Sequence, residues 1–161
     1  MLKPDLLRAA LVAAVPELAR DPDKLTLFVE KGRIAARAGP ANGFEYRYQL
    51  QAVLLDFTGH PDAVMIAVLN WIHDHQPELL LNHSAGNEAI SFDADIIDAD
   101  TIDLAFTLEL NEAVTFTPRA GGGFDATHRG EPQLVDALLG IPATTLLGEI
   151  YLGGELIVQA G

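Results

Sequence analysis

Residues 90–110 read ISFDADIIDADTIDLAFTLEL, and their alternation decides the fold class. Ile90, Phe92, Ala94 and Ile96 alternate with Ala89, Ser91, Asp93 and Asp95. Ile102, Leu104, Phe106, Leu108 and Leu110 alternate with Thr101, Asp103, Ala105, Thr107 and Glu109. Successive side chains of a strand point to opposite faces, so this period-two pattern predicts two half-buried strands. Asp98-Ala99-Asp100 between them is turn chemistry, because Asp side chains bond their own backbone there. An antiparallel hairpin is expected, apolar on one face and polar and acidic on the other.

Upstream, Phe44, Tyr46, Tyr48 and Leu50 alternate with Glu45, Arg47, Gln49 and Gln51, which predicts a long strand. From Ala52 to Leu55 both rows turn apolar, so this strand should run from an exposed flank into the core. Before it, Leu25 to Glu30 reads as a strand, Lys31-Gly32 as a tight turn and Arg33 to Ala36 as a short return strand. A loop is expected over Ala38 to Gly43, rich in Gly, Pro and Asn. Downstream, Val114 to Thr117 suggests one more strand, and Pro118 to Gln133 a loop centred on Gly121-Gly122-Gly123. A helical turn is expected over Leu134 to Leu139. Leu146 to Leu152 and Glu155 to Val158 flank Gly153-Gly154, a good hairpin turn.

Two helices complete the pattern. Pro4 suits a first helical position, and Leu7, Leu11, Val15 and Leu18 recur at helical spacing. Pro16 removes a hydrogen bond within that run, so a kink or restart is expected there. The second helix should start at Thr58-Gly59-His60-Pro61-Asp62 and stop at Gln76-Pro77. From Ala63 to Ile72 only Asn70 is polar, and a helix apolar nearly all round is covered on more than one side. Either it is a central core helix, or one side meets the sheet and Val64, Val68 and Trp71 meet a neighbouring subunit. Leu152 and Leu156 on the terminal hairpin are further candidates for such an interface. The expected architecture is α+β: one domain over residues 1–161, a mostly antiparallel twisted sheet, two main helices on one face, and β-hairpin arms.

Composition narrows the function. The chain has 161 residues, 49% hydrophobic and 20% charged, no cysteine and a formal net charge of −13. The absence of cysteine excludes disulfides, thiolate metal sites and a cysteine nucleophile. Strong acidity with scattered Lys and Arg argues against a broad nucleic-acid surface, which needs clustered cations. It suits plain solubility, or a surface that must not hold DNA. The N-terminus, with Pro4 and Asp5, does not read as a signal peptide, and the longest apolar stretch is about half of the roughly 20 residues that span a bilayer. No membrane partner is expected.

Residues that carry chemistry elsewhere are not arranged for it here. His73 and His75 lie two apart and point different ways on a helix, so they cannot chelate one metal together. Asp93, Asp95, Asp98, Asp100 and Asp103 lack the glycine and closing Glu of an EF-hand loop, and strand alternation already accounts for Asp93, Asp95 and Asp103. Asp56-Phe57-Thr58-Gly59 is not the Asp-Thr-Gly of an aspartic protease, and the triple glycine has no following Lys-Ser/Thr. No catalytic residue, cofactor site or metal site is assigned.

One family fits the chain in order. Met1-Leu2-Lys3-Pro4-Asp5, Leu7-Arg8, Pro22-Asp23, Phe28-Val29, Gly32 and Ile34-Ala35 lead into Phe44-Glu45, Arg47-Tyr48 and Leu50. Asp56-Phe57-Thr58-Gly59, Asp62, Val68-Leu69, Trp71 and Gln76-Pro77 follow, and Glu149-Ile150-Tyr151-Leu152 with Gly154-Glu155-Leu156 closes the series. This collinear set resembles the tail completion protein R (tail terminator) family of contractile-tailed temperate phages. The likeness covers most of the first 80 residues and the last dozen, and the stretch from Pro118 to Leu147 departs from it.

The resemblance implies a structural part, not an enzyme, that caps the head-proximal end of the tail tube, ends its polymerisation and provides the joining surface. It implies a homo-oligomer, a hexameric ring in the assembled tail. Its partners would be the tail tube protein, the sheath protein and, where a head is present, the head–neck connector. Its place would be a virion tail or a phage-tail-like bacteriocin particle, assembled in the host bacterial cytoplasm. DNA would pass without specific binding, and Asp93, Asp95, Asp103 and Glu109 are the expected acidic lumen face. The competing readings are a small metal- or ligand-binding module on the acidic hairpin, an enzyme using His60, His73 or His75 beside an Asp, and another tail or neck connector.

Overall fold

The computed structural model describes residues 1–36, 42–81, 90–131 and 149–159. Helix α1 (Lys3–Ala14) carries Pro4 in its first turn and stops before Pro16, whose ring leaves no N–H to continue it. A short α2 (Pro16–Arg20) restarts at once, and one 3-10 turn (Pro22–Lys24) delivers the chain to β1 (Leu25–Ala36). Strand β2 (Gly43–Phe57) returns along β1. Helix α3 (Pro61–His75) follows, capped by the His60 ring, which accepts from Asp62 N at 3.1 Å, and the expected boundaries hold at both ends. After α4 (Glu78–Leu81) come β3 (Ile90–Ile96), β4 (Ile102–Pro118) and β5 (Phe124–His128), then a separate hairpin of β6 (Glu149–Leu152) and β7 (Glu155–Gln159).

The main sheet runs β1-β2-β4-β3, with every pair antiparallel. Strand β2 occupies one edge of β4. The other edge takes β3 along Ile102–Leu108 and β5 along Val114–Pro118. Tyr48, Leu50, Ala52 and Leu54 of β2 and Leu104, Phe106, Leu108 and Leu110 of β4 form one buried row. Leu7, Leu11 and Leu18 of the N-terminal helices and Val64, Val68, Trp71 and Ile72 of α3 close over that row. The fold is α+β, with the helices on one face of an antiparallel sheet.

Three expectations are corrected. Lys31-Gly32 is not a turn: β1 runs unbroken to Ala36 because residues 44–54 of β2 pair along its length. The irregularity is instead a bulge between Val29 and Lys31. Val114 to Thr117 is not a separate strand but the continuation of β4. The glycine-rich stretch is not all loop: Gly122 and Gly123, at φ +90° and +88°, turn the chain back into β5. The helical turn expected at 134–139 and the start of the terminal hairpin at 146–148 lie outside the described residues.

Candidate assembly surface

A sheet covered on one side sorts its residues by parity. The row between the buried residues of β2 and β4 stays at least partly exposed. Register puts Asp93 and Asp95 on this open face, level with Ala105 and Asp103, and Glu109 farther along, level with Gln49. The four acidic residues singled out from the sequence therefore share one face. The same face carries cations that the sequence reading passed over: Lys31 opposite Gln49, and Arg33 directly opposite Arg47. Taking β1 as a hairpin with a tight turn hid their common row.

The interface candidates divide. Val64, Val68 and Trp71 are buried in the chain's own core, where α3 packs on the sheet and on α1, so no neighbour can touch them. That corrects the expectation for these three. The sheet and α1 cover that side of α3, while Leu69 on the same helix stays exposed. Leu152 and Leu156 are exposed on the β6–β7 hairpin.

The histidines have local duties. His60 caps α3, His75 stacks on Trp71 with ring centroids 4.9 Å apart, and His73 is buried with Nδ1 2.9 Å from Asp74. His75 and His128 line a shallow cleft with Asp74, Glu112 and Glu131. Its deepest carboxylate is already engaged. Glu112 accepts from Leu2 N at 2.7 Å, from Lys3 N at 3.3 Å and from the Tyr48 hydroxyl, and lies 3.0 Å from His128 Nδ1. Burial works to raise the Glu112 carboxyl, but the Tyr48 hydroxyl and the two N–H groups outweigh it and hold it below the usual range. Burial, then the bond to Glu112, pushes the Tyr48 hydroxyl far up. Among the described residues no three or more His, Asp or Glu stand together where they could hold a metal ion.

A second carboxylate explains Asp56-Phe57-Thr58-Gly59. Asp56 takes φ 49°, and Phe57 turns into the core. The Thr58 and Gly59 N–H groups then point at Glu17, whose Oε2 accepts both at 3.0 Å, while Lys24 Nζ holds Oε1 at 2.6 Å. Burial again acts to raise the Glu17 carboxyl, and Lys24 and Thr58 bring it below the ordinary value. This motif ties α2 to the start of α3.

Comparison with known proteins fits this geometry. The family described as P2 phage tail completion protein R (GpR) matches residues 1–132. Tail completion protein R of Escherichia phage P2 is 34% identical over 157 residues, spanning 98% of this chain and 97% of that protein. No solved structure matches. The chain belongs to the P2 phage tail completion protein R family, whose part is in phage tail assembly.

Proposed function

We propose that this chain caps the head-proximal end of a phage tail tube, ends its polymerisation and presents the surface on which a neck or head joins. The observation that carries this reading is the one-sided sheet. Helices shelter one face, the other face is open, and among the described residues β1 and β3 each pair on one side only and leave their outer edge unpaired. An unpaired edge is a template for another chain, and a heterologous contact that closes makes a ring.

On this reading six copies form the ring, with the tube protein below, the sheath outside and a head–neck connector above where a head exists. The open face lines the passage. Across β1 to β4, Glu45, Asp93, Asp95, Asp103 and Glu109 outnumber Lys31, Arg33 and Arg47, so phosphate is repelled and DNA passes without being held. Leu152 and Leu156 dock the terminal arm on a neighbouring component. The particle is a virion tail or a headless bacteriocin assembled in the host cytoplasm.

The test is to image tails assembled with and without the chain. Overlong or open-ended tubes in its absence, and a ring of this protein at the head-proximal end in its presence, are the expected results. Tails of normal length with normal ends in its absence would overturn the reading.

A further inference from the structure

We infer that successive copies join edge to edge, β3 of one subunit running antiparallel along β1 of the next, in a single register. In that register Phe92 faces Ile34, Asp93 faces Arg33, Ala94 faces Gly32 and Asp95 faces Lys31. The inference rests on the ring reading above and names the contact that closes the ring.

The two edges complement each other on both faces. On the open face, β3 carries Asp93 and Asp95, and β1 carries Lys31 and Arg33. None of these four side chains has a hydrogen bond or ion pair among the described residues. Two of them have a like charge across the ladder: Asp95 is directly opposite Asp103, and Arg33 directly opposite Arg47. Like charges directly opposite destabilise a sheet, and a neighbour of the other sign relieves both pairs. On the helix face the same strands leave apolar side chains bare: Phe92 is 65% exposed and Ile34 is 64% exposed.

Strand direction and parity fix the rest. Each pair in the order β1-β2-β4-β3 is antiparallel, so β3 runs opposite to β1, and a sheet continued into the next copy keeps the same kind of pairing. Within one subunit Asp93 is level with Ala105, Val53 and Thr26. Bringing it level with Arg33 shifts the neighbour by six rungs of the ladder, Glu30 being the extra residue of the bulge. An even shift keeps each side chain on its own face, whereas an odd one would set Asp93 against apolar neighbours. A shift of four rungs pairs Asp93 with Lys31 but leaves Asp95 against Phe28. Six rungs satisfy both acids and seat Phe92 on Ile34 in the same step. They also keep the whole contact, from Ile90 on Ala36 to Asp95 on Lys31, clear of the bulge.

The stagger suits a closed sheet. Six rungs at ~3.4 Å amount to about 20 Å along the strands, and four strands at ~4.8 Å to about 19 Å across them. The strands then tilt by about 45° to the ring axis, at the upper end of the range for closed barrels.

The chain has no cysteine, so introduced pairs report cleanly. Tails are assembled with the double variant Arg33→Cys and Asp93→Cys, oxidised, and run on a non-reducing gel. Directly opposite residues have Cα atoms about 4.5–5.5 Å apart, within disulfide reach. Inside one subunit the two edges are three strand spacings apart, about 14 Å, so any bond joins two copies. The expected result is a ladder of covalent multimers for this pair and none for Arg33→Cys with Asp95→Cys, two rungs out of register. No ladder from tails whose ends carry the ring, or equal ladders from both pairs, would overturn the edge contact and leave the ring reading standing. Tail ends without a ring of this protein would overturn both.

Charge exchange is the second arm. Lys31→Glu with Arg33→Glu should lower incorporation into tails at least about tenfold, since like charges across an interface cost several kcal/mol. Adding Asp93→Lys and Asp95→Lys should restore it, with circular dichroism of each variant unchanged. No restoration by the fourfold variant, with its fold intact, would count against the pairing.

Discussion

The carboxylate of Glu112, only 3% exposed, accepts the backbone N–H of Leu2 at 2.7 Å, so the first turn of the chain is fixed to the middle of its longest strand. Glu112 stands in the buried row of β4, flanked on the same face by the apolar Leu110 and Val114. A carboxylate is tolerated there because Leu2, Lys3 and Tyr48 supply donors on all sides. The helix start needs an acceptor for its orphan N–H groups, and Leu2 offers no side chain for the purpose. Sequence-distant capping by a sheet residue thus couples α1 to β4.

Glu112→Gln tests that coupling. An amide keeps the shape but removes the charge and replaces one acceptor by a donor aimed at other donors. Loss of about 2 kcal/mol is expected, read as a lower urea midpoint and a melting temperature about 4–8 °C lower. Tyr48→Phe should lose less, because only one of the bonds to Glu112 disappears. Equal stability of Glu112→Gln and the parent would show that the clamp holds nothing.

Acid should undo both clamps. The folded-state values of Glu17 and Glu112 lie below the ordinary glutamate value. A depressed carboxyl contributes stability that is complete above its unfolded value, near 4.3, and is lost as pH falls through the folded value. Urea midpoints should therefore change little from these two groups between pH 7 and about 5.5 and should fall progressively below about 4.5. In a Glu112→Gln variant the acid limb should be shallower. A parallel limb in the variant would assign acid sensitivity to other carboxylates.

Gly59 is required by packing. A Cβ placed there would meet the Phe57 ring at 2.6 Å, and Phe57 is fixed in the core. The Gly59 N–H also donates to Glu17, so the backbone cannot retreat freely. Gly59→Ala is expected to cost about 1–3 kcal/mol, measured by urea unfolding. Thr58→Ala, which keeps both N–H donors and loses one hydroxyl bond, should cost less.

How much of this was legible follows from how local each signal is. Alternation at Ile90–Leu110 and prolines at positions 4, 16, 61 and 77 act within a few residues, and the elements they mark stand where expected. Lys31-Gly32 failed because a turn and a mid-strand glycine look alike until the partner strand is known, and β2 decides it. Phe124–His128 failed because four exposed residues and a half-buried His128 carry no alternating burial pattern, and only pairing with β4 makes them a strand. Of the proposed surface, Asp93, Asp95, Asp103 and Glu109 were readable as one polar row. The cations Lys31, Arg33 and Arg47 were not, because they converge on it only through the sheet order.

The two classes of apolar residue on which an interface was expected now make opposite predictions. Val64 lies in the core with no exposure, so Val64→Ala should lower stability by about 1–3 kcal/mol through lost burial and a small cavity. At a temperature where it stays folded, the variant should enter tails as the parent does. Leu156 is exposed on the terminal hairpin, so Leu156→Asp removes little packing within the chain, and its unfolding midpoint should match the parent's within about 0.5 kcal/mol. If the hairpin docks on a neighbouring component, that variant should nonetheless be depleted from purified tails, because burying an unpaired carboxylate against an apolar partner is costly. Thermal unfolding of the two soluble variants, set beside their abundance in tails, separates folding from assembly. Depletion of Val64→Ala at a permissive temperature would return α3 to the interface, and full incorporation of Leu156→Asp would remove the hairpin from it.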